Sequence, residues 1–176
     1  MKTKAICTTC LLAALICGRP AKAELVMSLQ QVGPDVVATA NGTVNLSDLT
    51  FFSAANSSQP TIMPIVGELT VGFAPVGLGA NNDLYTGISG PASFGTGDFF
   101  EGRVTGTGNL VGLNDAATIL VPLGYISGDP LSGTVTFSST TLNNLGVIPD
   151  VYRWTWGTGA NADSLVLFAG VPERPD

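Results

Sequence analysis

The sequence predicts an all-β fold, an antiparallel β-sandwich of jelly-roll type behind an N-terminal leader. Three observations predict it. Apolar and polar residues alternate with period two in several short stretches, the pattern of a strand with one wet face. No window keeps helical spacing for three turns. Between the alternating stretches lie turn signals drawn from 22 Gly and 11 Pro in 176 residues. Many short strands, many turns and no helices are the marks of a sandwich.

The chain opens with Lys2 and Lys4, continues through an apolar run over residues 5–17, and reaches the small-residue triplet Ala21-Lys22-Ala23. A positive start, a short apolar middle and an A-x-A exit make residues 1–23 a secretory signal peptide, with cleavage expected between Ala23 and Glu24. The run is too short to span a bilayer comfortably. Its removal takes away Cys7, Cys10 and Cys17, all the lysines, and Arg19. The mature chain keeps three cations, Arg103, Arg153 and Arg174, against thirteen carboxylates, a formal charge of −10. An exported chain without cysteine has no disulfides, so its stability must come from apolar burial in the domain expected over residues 24–170. Its acidity argues against nucleic acid or an anionic membrane as partner.

The elements are read in chain order. Leu25, Met27 and Leu29 alternate with Val26, Ser28 and Gln30, and after Gly33-Pro34 the Val- and Thr-rich residues 35–46 return as the second arm of a hairpin. Leu69, Val71 and Phe73 share one face of the next strand. Residues 72–112 contain eleven glycines, a density expected for turns, bulges and close backbone approaches rather than regular ladders. Residues 118–126 read as a strand. So do residues 131–138, with Leu131, Gly133, Val135 and Phe137 facing in and Ser132, Thr134, Thr136 and Ser138 facing out. Residues 140–145, closed by Gly146, are the best helical candidate, a turn or two. Residues 151–156 and 164–168 complete the set. The last is apolar on both faces, as a central strand would be.

Four stretches together resemble the secreted bacterial proteins that carry a PEP-CTERM sorting signal. They are Val32-Gly33-Pro34-Asp35-Val36-Val37-Ala38-Thr39 with Asn41-Gly42-Thr43; Gly90-Pro91-Ala92-Ser93-Phe94-Gly95; Val121-Pro122-Leu123-Gly124-Tyr125 leading to Ser127-Gly128 and Leu131-Ser132-Gly133; and Trp154-Thr155-Trp156-Gly157-Thr158-Gly159-Ala160-Asn161-Ala162-Asp163-Ser164. Val171-Pro172-Glu173 then looks like the start of the sorting motif. The resemblance implies an exported protein of exopolysaccharide-producing bacteria, processed at the cell surface. In that family the motif continues into a membrane helix and a basic tail. Here Arg174 replaces the second proline and the sequence ends at Asp176. Residues 171–176 are therefore expected to be a remnant without its anchor, and the product to be released.

Catalytic chemistry has few carriers. From Glu24 onward there is no His, Cys or Lys, so a Ser-His-Asp arrangement and the common nucleophiles are excluded. Asp98 and Glu101, flanking Phe99-Phe100, are the one carboxylate pair that could divide acid and base roles. Two solvated loop carboxylates are the simpler reading. Asn81-Asn82-Asp83, Asn114-Asp115 and Asn161-Ala162-Asp163 offer oxygen ligands of the kind calcium takes. None has the spacing of a known calcium loop, and such residues favour turns by themselves. No cofactor is expected. Tyr152, Trp154 and Trp156 share one face of their strand. On an inner face they are core, the reading their size favours. On an exposed face they would make a carbohydrate-binding strip, with Asn161 and Asp163 as polar partners. The expectation is an exported, non-enzymatic surface or matrix protein whose partners are exopolysaccharide or other envelope components.

Overall fold

The computed structural model describes residues 24–76 and 79–173. The expected leader, with Ala23, lies outside the described residues, as do Gly77, Leu78 and the tail from Arg174. Among the described residues twelve strands form: β1 (Glu24–Val32), β2 (Asp35–Gly42), β3 (Thr50–Ala55), β4 (Ile62–Met63), β5 (Glu68–Val71), β6 (Asn82–Thr86), β7 (Val104–Gly108), β8 (Val111–Asp115), β9 (Thr118–Pro122), β10 (Leu131–Phe137), β11 (Asp150–Trp156) and β12 (Asp163–Ala169). They make two six-stranded sheets. The first runs β11-β12-β1-β2-β10-β7 and the second β3-β6-β9-β8-β5-β4.

The β-sandwich expected from the alternation is what forms. Leu25, Met27 and Leu29 of β1, Val36, Ala38 and Ala40 of β2, and Leu165, Leu167 and Ala169 of β12 are fully buried. They meet Leu69, Val71, Val111, Leu113, Ile119 and Val121 of the second sheet in one continuous core. Each fully buried Leu or Val contributes about 1.5–3 kcal/mol. Strand β10 buries Leu131, Gly133, Val135 and Phe137 and exposes Ser132 and Thr134, as its alternation requires.

Several boundaries differ from expectation for physical reasons. The second hairpin arm stops at Gly42, whose φ of +136° turns the chain out of the sheet. The strand from Thr118 ends at Pro122, because proline has no N–H for the ladder, and Gly124 comes next but one at φ +70°. The glycine-rich stretch holds three strands, β6, β7 and β8, not only turns. Gly106 sits opposite Val135 and Gly108 opposite Gly133, and a Cβ on Gly106 would strike the Thr134 carbonyl. The close backbone approach expected of these glycines is present, but it lies within a regular ladder. Strand β12 is interior, between β11 and β1, and its ladder with β1 is parallel. The other ladders between these strands are antiparallel.

Residues 141–147 make the expected short helical turn. Leu145 N–H bonds to Thr141 O at 2.9 Å and Val147 N–H to Leu142 O at 3.0 Å. Gly146 closes the turn in the left-handed region. The outer edge of β11 is covered by Ser89, which exchanges two 2.9 Å backbone bonds with Thr155. That contact removes part of a free edge.

Candidate functional site

The aromatic strand comes first, and the structure corrects its carbohydrate-binding reading. Trp154 is fully buried and Trp156 is 4% exposed; Tyr152 packs half-buried against the same core. Both indoles satisfy their N–H inside the fold, Trp154 on Pro91 O at 3.1 Å and Trp156 on Asn45 O at 2.8 Å. Gly90 lies against the Trp154 ring so closely that a Cβ would collide with it. No sugar can reach these faces. Tyr152 donates to Ile148 O at 2.9 Å, and burial, then the nearby Asp150 charge, raises its pKa above the usual phenol value. The two polar partners expected of the strip are engaged elsewhere. Asp163 is buried and accepts from Asn45 N–H at 2.7 Å and Ser164 N–H at 2.6 Å. Asn161 donates to Asp48 Oδ1 at 2.9 Å. The Asp163 and Asp48 carboxylates thus tie the crossover from β2 to β3 onto the β11–β12 turn.

The oxygen-rich clusters do not converge. Strand alternation sends Asn82 and Asp83 to opposite faces: Asn82 donates to Ser57 O at 2.6 Å, whereas Asp83 accepts from Gly124 N–H at 2.8 Å. Asp115 accepts from Ala117 N–H at 2.8 Å in the β8–β9 turn. Among the described residues no three acidic side chains gather as a metal site would need. Asp98 and Glu101 are both exposed, and Asp98 accepts from the Phe99 amide at 2.8 Å. Phe100, between them, turns inward to meet Phe137 edge-on at 5.6 Å. One carboxylate that the sequence did not single out, Glu68, has a displaced pKa. Burial of Glu68 raises its pKa above 4.5; a 2.5 Å bond from Thr61 Oγ1 opposes the rise and the Asp115 charge adds to it.

A concave feature lies on the outer face of the first sheet, on the other side of β11 from the indoles. Register stacks Thr155, Ser164 and Glu24 in one row, Arg153, Val166 and Val26 in the next, and Val151, Phe168 and Ser28 in a third. A groove of about 440 Å³ results, floored by Val26, Val151, Val166 and Phe168 and rimmed by Glu24, Arg153 and Glu173. Arg153 Nη1 donates to Glu24 Oε1 at 2.7 Å and to Ser164 Oγ at 2.8 Å, while Ser164 Oγ donates to the same Oε1 at 2.9 Å. Arg153 is half-exposed, so this pair adds at most about 1 kcal/mol to stability. Glu173 is held near by the tail, where Gln30 Nε2 bonds to Val171 O at 2.6 Å.

Beyond the groove the middle of the same face is uncharged. Across β2, β10 and β7 it presents Thr39, Asn41, Ser132, Thr134, Thr136, Thr105 and Thr107. Asp35, at the hairpin end of β2, accepts from Ser139 N–H at 2.8 Å and bounds this area. Ser28 and Thr39 hydroxyls are 2.8 Å apart, and Thr134 and Thr107 hydroxyls 3.3 Å. Alternation along β11 was a partial signal for this surface, since it puts Arg153 opposite the indoles. The juxtaposition of Ser164 with Glu24 depends on the parallel β1–β12 ladder, which joins residues 140 apart in sequence. Set against known protein families, curated proteins and solved structures, the chain matches none.

Proposed function

We propose that this chain is an exported, non-enzymatic surface or extracellular-matrix protein of exopolysaccharide-producing bacteria. The observation that carries the reading is the position of Glu24. It is in register with Ser164 in the parallel ladder and bonded to Arg153, so a chain that begins at Glu24 keeps every sheet contact of the described residues. A matrix role is further supported by the resemblance to PEP-CTERM proteins along residues 32–43, 90–95, 121–133 and 154–164. The absence of His, Cys and Lys from Glu24 onward leaves no ordinary group for proton transfer at neutral pH. The buried carboxylates Asp83 and Asp163 hold backbone amides, which is a structural task. Among the described residues no helix is long and apolar enough to cross a membrane.

Cell fractionation with N-terminal sequencing tests this reading. The expected product begins at Glu24 and is recovered from the medium or the cell surface. A chain retained in the cytosol and still beginning at Met1 contradicts it.

A further inference from the structure

We infer that the outer face of the first sheet is a binding site for an uncharged polysaccharide, anchored in the groove at Arg153 and Phe168. This deepens the matrix reading by naming a ligand class, but it stands on the geometry of the face alone.

Charge is the first argument. Residues 24–176 carry a formal charge of −10. Yet from Val37 to Asn41 of β2, and along β10 and β7, the outward positions bear only hydroxyl, amide and valine side chains. A surface kept free of charge on so acidic a molecule suits a partner that is itself uncharged and rich in hydroxyl groups. Among the described residues the groove at its end carries one guanidinium and two carboxylates. An anionic polymer would meet Glu24 and Glu173 and be repelled. A neutral sugar meets no such penalty.

Hydrogen-bonding capacity is the second. Arg153 uses Nη1, and Glu24 uses Oε1. Among the described residues Arg153 Nη2 and Nε and Glu24 Oε2 make no hydrogen bond. A fixed donor beside a fixed acceptor matches vicinal hydroxyls, each of which both donates and accepts. The floor offers the apolar surface of Val26, Val151 and Phe168, packed over the buried Val166, to the C–H face of a sugar ring. A volume of about 440 Å³ falls within the range of small-ligand pockets, which combine apolar walls with a few placed polar groups. From there the rows Val26–Asn41–Ser132 and Ser28–Thr39–Thr134–Thr107 continue across the sheet, so a chain leaving the groove meets hydroxyl partners on successive strands.

The test uses the exported chain on an array of neutral hexose oligosaccharides and polysaccharides, with uronic-acid oligomers alongside, followed by titration of the best neutral ligand. The expected result is binding to a neutral glycan that falls at least tenfold in Arg153→Ala and in Phe168→Ala, with thermal midpoints close to the parent's. Thr134→Val, which keeps strand shape, should weaken the polymer and leave a groove-sized oligosaccharide unchanged. Arg153→Lys keeps the charge and the fold but not the planar fork; it should also lose affinity. Preference for uronic-acid oligomers would overturn the proposal. So would neutral-glycan binding unaffected by both groove variants, absence of neutral-glycan binding at millimolar concentration, or a concentration-dependent dimer abolished by Arg153→Ala. Failure of the fractionation experiment would leave this result standing, so the two readings are separable.

Discussion

At the scale of single residues, Trp154 shows how one side chain links distant parts of the chain. Its indole is fully buried, bonded to Pro91 O, and pressed by Gly90, so one side chain joins β11 to the loop that closes that end of the sandwich. Trp154→Ala is expected to cost about 3–5 kcal/mol through lost burial and the cavity left behind. Gly90→Ala should cost about 1–3 kcal/mol by overpacking the ring. Urea unfolding monitored by circular dichroism measures both. Glu68 makes a prediction of opposite sign. Burial raises its pKa in the folded state, so the folded protein holds a proton more tightly than the unfolded chain. The stability this brings is present at pH below the unfolded value and is lost as pH rises through the folded one. Glu68→Gln removes the ionisation and can still accept from Thr61 Oγ1. The variant should therefore melt higher than the parent at pH 7, and the gap should close towards pH 4. An unchanged gap across that range would mean that Glu68 is not desolvated.

At the scale of elements, strand identity was legible where alternation was clean. Strand β10 and the β1–β2 hairpin could be read from their side chains because one face is apolar and the other polar, and a slip of one residue would invert both. Gly146 as the stop of the short helical turn could also be read, since a left-handed residue is needed there. Strand β7, with the sequence Val-Thr-Gly-Thr-Gly, was not legible. Its glycines look like turns until Val135 and Gly133 are placed opposite them. The parallel partnership of β1 and β12 was likewise hidden, because no local pattern encodes a contact between strands so far apart in the chain. That pairing makes the groove, so the candidate site was less legible than the fold. Period-two spacing puts the two indoles on one face, but alternation cannot say which face is inside. Gly106→Val tests the account of β7. The added side chain meets the Thr134 carbonyl, so β7 should peel from β10. Hydrogen exchange should then show lost protection at the β7–β10 ladder and unchanged protection in β1 and β12.

At the scale of the whole molecule, the two faces of the first sheet divide the work. The inner face carries the stability of a domain that has no cysteine to cross-link it after residue 17, through Leu25, Met27, Leu29, Trp154, Trp156, Leu165 and Leu167. The outer face carries the uncharged hydroxyl rows and the Arg153 groove. An aromatic strip open to solvent would reverse that division and move any glycan contact to the opposite side of β11. Acrylamide quenching of intrinsic fluorescence separates these arrangements, because Trp154 and Trp156 are the molecule's two tryptophans. The structure predicts blue-shifted emission, weak quenching in the folded protein, and full quenching only after unfolding. Emission near that of free tryptophan, quenched freely under native conditions, would contradict it.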